Sequence, residues 1–313
     1  LLKGEEKIFR RILVATDLSP ASFVVVRHMG ELAFLGVQEC LLVQCVNVSE
    51  EGVLVEGFLK KGELAEQEEM LKQQGYAVTA LVLPGMARLE IDRIARERGC
   101  SLIVVGSHGQ TLARDLFLGS VASEIIQRAT RPILVMRLSV TKDSGKIDVR
   151  CLRHRFREHV LFATDFSENA GLAFAYLKHM VACGLKHVTL VHVQDKNRLD
   201  PHLLSRLEEF NEVDRGRLEK MREELKKEGE VQVTVEIPYG VPIEELLGLV
   251  RKRDVQMVVM GSQGRRYIQE LFLGSVSHAL ARFSEAAVML IPARQKVNNS
   301  GGSEHEVQKK SKR

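Results

Sequence analysis

Two stretches of this chain carry residue types and spacings suited to holding a phosphate. GSHGQTLARDLFLGS runs from Gly106 to Ser120 and GSQGRRYIQELFLGS from Gly261 to Ser275; both read glycine, two residues, glycine, nine residues, glycine-serine. Each follows an apolar run, SLIVV or VQMVVM. Glycines between a strand and a helix let backbone N–H groups approach a phosphate with no side chain in the way. The helix N-terminus adds unpaired donors and the positive end of a dipole, together worth roughly 0.3 to 2 kcal/mol for an anion. The competing reading is a pair of tight turns with Ser120 and Ser275 as helix caps. The nine-residue spacer favours the first reading, because a strand-to-helix turn does not need that length. Neither stretch has the P-loop lysine or the G-x-G-x-x-G spacing. The grip would be mostly backbone, with Arg114 in the first copy and Arg265 and Arg266 in the second as added charge.

The two stretches belong to a larger repeat. RILVATDLSP at Arg11–Pro20 matches HVLFATDFSE at His159–Glu168, an offset of 148 residues that sets Asp17 on Asp165 and Cys45 on Val193. From VLPGMARLEIDRIARERG against EIPYGVPIEELLGLVRKRD onward, Gly85 falls on Gly240 and the offset is 155. The seven extra residues lie between the second and third strands, where copy two has the charged run DPHLLSRLEEFNEVDRGRLEKMREELKKEGE. That run reads as a solvated helix.

Short β-branched runs (RILVATD, CLLVQCVNV, YAVTALVLPG, SLIVVGS, PILVMRL) read as strands, and the periodic segments between them read as helices, SFVVVRHMGELAFLG being one helix that ends at Gly36. Copy two repeats the order. Apolar strands alternating with helices predict a parallel sheet covered on both faces. The expected fold class is α/β, two tandem doubly wound five-stranded parallel-sheet domains. They span 1–138 and 158–294, with a solvated linker at 139–157 and a disordered tail at 295–313. Such sheets bind ligands outside the carboxyl ends of their strands, at the switch in strand order. Asp17 and Asp165 end the first strands there, Cys45 and Val193 the second, and the glycine loops follow the fourth.

Composition narrows the function. The formal charge is +4, but SEHEVQKKSKR at the end of the chain holds four cations against two acids, leaving +2 for the rest. With aromatics at 5% and no Trp, nothing suggests a nucleic-acid surface. Five cysteines with no C-x-x-C pair argue against a disulfide framework or a zinc site. The N-terminal LLKGEEKIFRRILVATD is charged where a signal peptide is apolar, and no run approaches the length of a membrane span. A cytoplasmic protein with no membrane partner is the expectation.

ILVATDLS at the first strand, the VGSHG turn and the G-2x-G-9x-G-S spacing resemble the universal stress protein family, in its nucleotide-binding branch, over both halves of the chain. The resemblance implies the adenine-nucleotide α-hydrolase-like fold and an ATP or AMP ligand, with or without Mg²⁺. In copy one it implies Ala15, Thr16 and Asp17 beside adenine and ribose, Cys45 beside the base, and Val105, Gly106, His108, Gly109, Gly119, Ser120 and Val121 on the ribose and phosphate side. In copy two the matching positions are Ala163, Thr164, Asp165, Val193, Met260, Gly261, Gln263, Gly264, Gly274, Ser275, Val276 and Ser277. There are departures: Ala122 stands where binding members often have Ser or Thr, kept as Ser277; Gln263 replaces the histidine kept as His108; and Cys45 replaces a valine. Copy two is therefore expected to bind more tightly. The resemblance also implies pairing through the last strands, PILVMRL against AAVMLIP, as an internal pseudo-dimer, with a homodimer as a further option.

Three function classes follow. A nucleotide-binding sensor or stress-response regulator with slow or absent hydrolysis comes first. The alternative is an interaction or dimerisation protein of the same fold that binds no nucleotide. An ATP-consuming enzyme comes last, because a hydrolase needs a positioned base and a metal site. Asp115 and Glu270 would oppose a phosphate, and His108 has no counterpart in copy two.

Overall fold

The computed structural model describes residues 8–46, 61–109, 118–143, 146–198, 201–264 and 273–293. In the first copy β1 (Arg11–Thr16) is followed by α1 (Pro20–Arg27), a 3-10 helix (Met29–Leu35) closed by Gly36 at φ 80°, and β2 (Glu39–Val46). Then come α2 (Lys61–Gln73), β3 (Ala77–Pro84), α3 (Ala87–Glu97), β4 (Leu102–Gly106), α4 (Ser120–Arg128) and β5 (Ile133–Met136). The single helix expected up to Gly36 splits at His28. The imidazole Nδ1 donates to the Val24 carbonyl (2.8 Å), taking the acceptor that the His28 amide would use, and that amide turns to Val25 instead.

After a hairpin of β6 (Leu138–Asp143) and β7 (Lys146–Cys151), copy two runs β8 (Val160–Ala163), α5 (Glu168–Ala182), β9 (His187–Val191) and β10 (Gln194–Asp195). A 3-10 turn (Pro201–Arg206), α6 (Leu207–Glu228), β11 (Gln232–Glu236), β12 (Tyr239–Gly240), α7 (Pro242–Lys252), β13 (Met257–Gly261), α8 (Ser275–Phe283) and β14 (Ala287–Ile291) complete it. The charged run is indeed a helix, α6, but not a fully solvated one: Leu218, Leu225 and Asp214 are buried beneath it. The outer ladder of copy two is interrupted. Pro238 stands where copy one has Leu83 and offers no N–H, so pairing stops after Glu236 and resumes as β10 with β12. In copy one β2 pairs with β3 without a break to Val46 and Pro84.

Within each copy the strands are parallel, in the orders β3-β2-β1-β4-β5 and β11-β9-β8-β13-β14. The expectation of two separate five-stranded sheets is refined at their junction. β5 pairs antiparallel with β14 (Ile133 with Leu290, Leu134 with Met289, Val135 with Val288), so the halves form one ten-stranded sheet. Helices cover both faces, which is why the central strands are buried along their whole length. One face packs on Phe9, Leu32, Phe156 and Leu218, the other on Ile91, Ile125, Leu246 and Leu280.

The stretch expected to be a solvated linker is built into the structure. Val140 is buried, Phe156 is fully buried, and Arg153 pairs with Asp254 and with Glu285 (3.6 Å) of copy two. The reason lies in the antiparallel junction, which brings the end of β5 to the same edge of the sheet as the start of β8, so the connection has residues to spare. Arg137, directly after β5, is fully buried and donates from Nε to the Ser284 carbonyl (2.7 Å) and from Nη1 to the Ala281 carbonyl (3.1 Å) at the end of α8. A cation there complements the negative end of the helix dipole. Burial pushes its guanidinium down to about 10, still charged at neutral pH. No two of the five cysteines are joined, and burial raises Cys40 to about 12 and Cys100 to about 11, so these are thiols packed as small apolar groups.

At the amino ends of the copy-two strands His159 stacks on His187, with ring centroids 4.0 Å apart and planes within 9°. His159 Nδ1 donates to the Arg253 carbonyl (3.0 Å) and Nε2 lies 2.8 Å from the Thr189 hydroxyl, which can donate to it, so the neutral ring with one proton satisfies both contacts. Burial, and then the neighbouring His187, push His159 down to about 4 from 6.5. The unfolded chain therefore takes up this proton first as pH falls, so the contribution to stability is complete above pH 6.5 and is lost progressively down to pH 4. Urea unfolding should show a loss of about 3 kcal/mol from this group across that window. His159→Gln should flatten the profile by that amount; parallel wild-type and variant profiles would contradict it.

Candidate functional site

Each first strand ends in the same built turn. In copy one the Thr16 hydroxyl accepts from the Leu18 amide (3.0 Å), Asp17 Oδ1 accepts from the Ser19 amide (3.0 Å), and Ser19 caps α1 through the Ser22 amide (3.3 Å). Copy two repeats it with Thr164 to Phe166 (3.0 Å), Asp165 to Ser167 (3.0 Å) and Ser167 to Ala170 (3.2 Å). The residue between has a left-handed backbone without being glycine: Leu18 at φ 58° and Phe166 at φ 57°. Such a conformation costs on the order of 1 kcal/mol or more, offset here by two side-chain acceptors. Its effect is to fix the aspartate carboxylate at the mouth of the sheet.

The three glycines of each loop have different jobs. The first is a packing glycine: a Cβ on Gly106 would press on Val25 Cγ2 (3.1 Å), and one on Gly261 on Asn169 Oδ1 (2.6 Å). Its chemistry is contact with the helix after the first strand. The second faces the fixed carboxylate, since a Cβ on Gly109 would lie 2.6 Å from Asp17 Oδ2 and one on Gly264 3.0 Å from Asp165 Oδ2. The third is different again. Gly119 and Gly274 have φ near −60°, open to any residue, and an added Cβ would meet the Ser107 carbonyl at 3.5 Å in copy one, and the Ser262 carbonyl and Ser277 Oγ at 3.4 Å in copy two, ordinary contact distances. Among the described residues, neither the backbone nor the packing demands glycine at this third position.

The third glycine also ties the loop shut. Gly119 N donates to the Ser107 carbonyl and Gly274 N to the Ser262 carbonyl, both at 2.8 Å. These glycines are the helix caps, and Ser120 and Ser275, read above as caps in the turn interpretation, are instead the first helical residues. Among the described residues no side chain caps α4 or α8, and the first-turn amides of each face the mouth of the site. The spacer residues, with Arg114, Asp115, Arg265, Arg266 and Glu270, lie outside the described residues.

In copy two these parts enclose a cavity of about 420 Å³, within the range of small-ligand sites. Every copy-two position named from the sequence lines it: Ala163, Thr164 and Asp165 from the first turn, Val193 beyond β9, Met260, Gly261, Gln263 and Gly264 at the loop, and Gly274, Ser275, Val276 and Ser277 at the start of α8. The sequence reading missed His192, Gln194, Asp195, Asn197 and Arg198, and the start of α7 at Val241, Pro242 and Ile243. The polar run HVQDKNR after the second strand was the available signal. Among the described residues no group of three or more His, Cys, Asp or Glu gathers to hold a metal.

Three expectations about single side chains change. Ser277, read as a hydroxyl donor kept for the ligand, is buried and gives its proton to the Gly261 carbonyl (3.0 Å). His108 is also buried, with Nδ1 at 2.9 Å from the Ser107 hydroxyl, so its ring is turned onto the loop. Gln263 contributes through its backbone, whose amide donates to Asn169 Oδ1 (2.9 Å). In copy one Ala15 and Thr16 end β1 and Asp17 follows it, Cys45 lies on β2, Val105 and Gly106 close β4, and Val121 follows Ser120 at the start of α4. Burial, then Glu90, pushes the Cys45 thiol up to about 11, making it an apolar wall and no nucleophile.

Comparison with known proteins adds three findings. The profile of the universal stress protein family matches residues 8–137 and again 157–292. Among curated relatives, universal stress protein MJ0577 of Methanocaldococcus jannaschii is 26% identical over 155 residues, 42% of this chain and 96% of its own length. Universal stress protein YxiE of Bacillus subtilis is 28% identical over 148 residues, 42% of this chain and 100% of its own. Among solved structures, a universal stress protein from Archaeoglobus fulgidus aligns with a TM-score of 0.64 at 22% identity, over 92% of this chain and 98% of that one, a likeness of fold.

The glycine roles are separable by stability. Gly109→Ala sets a methyl against Asp17 and should cost about 1 to 3 kcal/mol in urea unfolding. Gly274→Ala should stay within about 1 kcal/mol of wild type, the difference between glycine and alanine at a helix cap. Equal costs would show that the third glycine is also required by the fold.

Proposed function

The chain belongs to the universal stress protein family, and from that premise we propose that it binds an adenine nucleotide, ATP or AMP, in the copy-two cavity, and acts as a stress-response sensor that holds its ligand instead of consuming it. The observation that carries this reading is Gly274. It lines the cavity, its backbone angles suit any residue, and its described neighbours leave room for a Cβ. A glycine that its described neighbours do not require, placed as the cap residue of a helix that opens on the cavity, is accounted for by a ligand that comes close to the backbone. The amides of Ser275, Val276 and Ser277 would then meet a phosphate.

The remaining walls suit the other parts of a nucleotide. Val193, Met260 and Leu246 offer an apolar slot for a base. Asp165, fixed by the Ser167 amide, is an acceptor for ribose hydroxyls. We assign no general base. Asp165 Oδ1 accepts from the Ser167 amide, and Gln263, which has no basic nitrogen, stands in this cavity where copy one has His108, which supports binding without rapid turnover.

Purified protein, denatured and analysed by chromatography, should release ATP or AMP, and calorimetry on ligand-stripped protein should show binding of ATP with Mg²⁺. Gly274→Val should reduce that binding at least tenfold while the chain stays folded by circular dichroism. If no nucleotide is released and no heat of binding is detected, the reading fails and the interaction-protein alternative takes its place.

A further inference from the structure

The wall of the copy-two cavity includes His192, and each of its ring nitrogens lies beside an oxygen acceptor. Nδ1 lies 2.8 Å from the Thr164 carbonyl oxygen and Nε2 lies 3.5 Å from Asp214 Oδ2 on α6. A carbonyl oxygen only accepts, so Nδ1 carries a proton. Asp214 is held as an acceptor on both oxygens, by Gln194 Nε2 (2.9 Å) and by the Arg217 guanidinium (3.0 Å), so Nε2 also faces an acceptor. His159 is the contrast within the same domain. Its ring meets one carbonyl and one hydroxyl able to donate, and one proton satisfies it. The His192 ring is further fixed against Phe166 (4.6 Å between centroids), the left-handed residue of the Asp165 turn, and the Arg217 guanidinium lies 5.1 Å from that same Phe166 ring.

We infer that His192 is held as a doubly protonated, positively charged ring, and that it makes anion binding in the copy-two cavity depend on pH. Copy one lacks this dependence, because the matching position there is the buried Gln44. The inference rests on the nucleotide reading of the cavity. When pH rises and the ring loses a proton, the tautomer that keeps the Thr164 bond turns a lone pair toward Asp214. The wall then loses a positive charge, and the link that holds the Thr164–Asp165 turn against α6 becomes repulsive. Both changes weaken an anionic ligand. Among the described residues, the other charged groups that line this wall or pair with Asp214 are Asp165, Asp195 paired with Arg198 (3.2 Å), and Arg217. Of these side-chain types only histidine ordinarily titrates near neutrality.

The test has two arms. ATP and AMP are titrated by calorimetry into the full chain at pH 6.0 and 8.5, as wild type, His192→Gln and Asp214→Asn. Titration of the ligand phosphates cancels in the ratio of wild type to His192→Gln. Wild-type affinity should fall roughly five- to tenfold more than that of His192→Gln between the two pH values; equal falls overturn the inference. In the second arm the ring protons of the histidines are followed by NMR without nucleotide, the His192 signal being identified by its loss in His192→Gln. Its midpoint should lie above the ordinary value of about 6.5 and should move down in Asp214→Asn. A midpoint at or below 6.5 overturns the inference whether or not nucleotide binds. Failure of ATP and AMP to bind at either pH overturns the nucleotide reading and the linkage to it, and the NMR arm then decides the charge of the ring by itself.

Discussion

The antiparallel pairing of β5 with β14 is the constraint on which the rest of this molecule depends. Each half alone would leave an apolar strand, ILVM or AVMLI, with an unpaired edge. Pairing the two edges closes both and makes one sheet from two domains. It also decides where everything else lies. Because the strands of the halves run in opposite directions, the carboxyl ends of copy one and of copy two lie at opposite edges of the sheet, and so do the two sites. The connection between halves stays at one edge of the sheet, passing the ends of β14 and β13, and its residues fold into the β6–β7 hairpin and pack against copy two through Arg153 and Phe156. Arg137 then ties the end of β5 to the last turn of α8, the helix whose other end faces the copy-two cavity. The junction and the site are thus the two ends of one helix.

Each site is assembled from groups that order one another. A threonine and an aspartate hold a left-handed turn, the turn aims the aspartate at the second glycine of the loop, and the third glycine closes the loop on itself and opens a helix without a cap. The side chains found in these hydrogen bonds serve mostly to place backbone. That division of labour suits a phosphate held by amides, and it explains how two copies can keep the arrangement while His108, Gln263, Ala122 and Ser277 differ. It also fits a binder, in which no side chain has to be left available for chemistry.

Much of this was legible in the sequence, and for identifiable reasons. The strands were readable because each is a short β-branched run, and the register of the two copies was readable from Asp17 against Asp165 and from the glycine spacing. The copy-two residues named from the sequence line one cavity because the strand ends of a doubly wound sheet converge at one edge. What was not legible depended on the partner of a side chain. Nothing in GSVS shows that Ser277 gives its proton to Gly261, and nothing in GSHG shows that His108 turns to Ser107. The split of the first helix at His28 needed a side chain competing for the Val24 carbonyl. The linker looked solvated from its many charges, and nothing in the sequence shows that one of them, Arg153, meets Asp254 and Glu285 of copy two. His192 was passed over as one polar residue in a strand, since Asp214 lies far along the sequence on α6.

The central claim is that backbone amides at the start of α8 hold the phosphates of an adenine nucleotide. Hydrogen–deuterium exchange of the whole chain, with and without saturating ATP, addresses it at the amides concerned. The account predicts slowed exchange at Gly264 and at Ser275, Val276 and Ser277, with the first turn of α5, already capped by Ser167, unchanged. No protection in α8, or protection confined to surfaces away from the cavity, would contradict it.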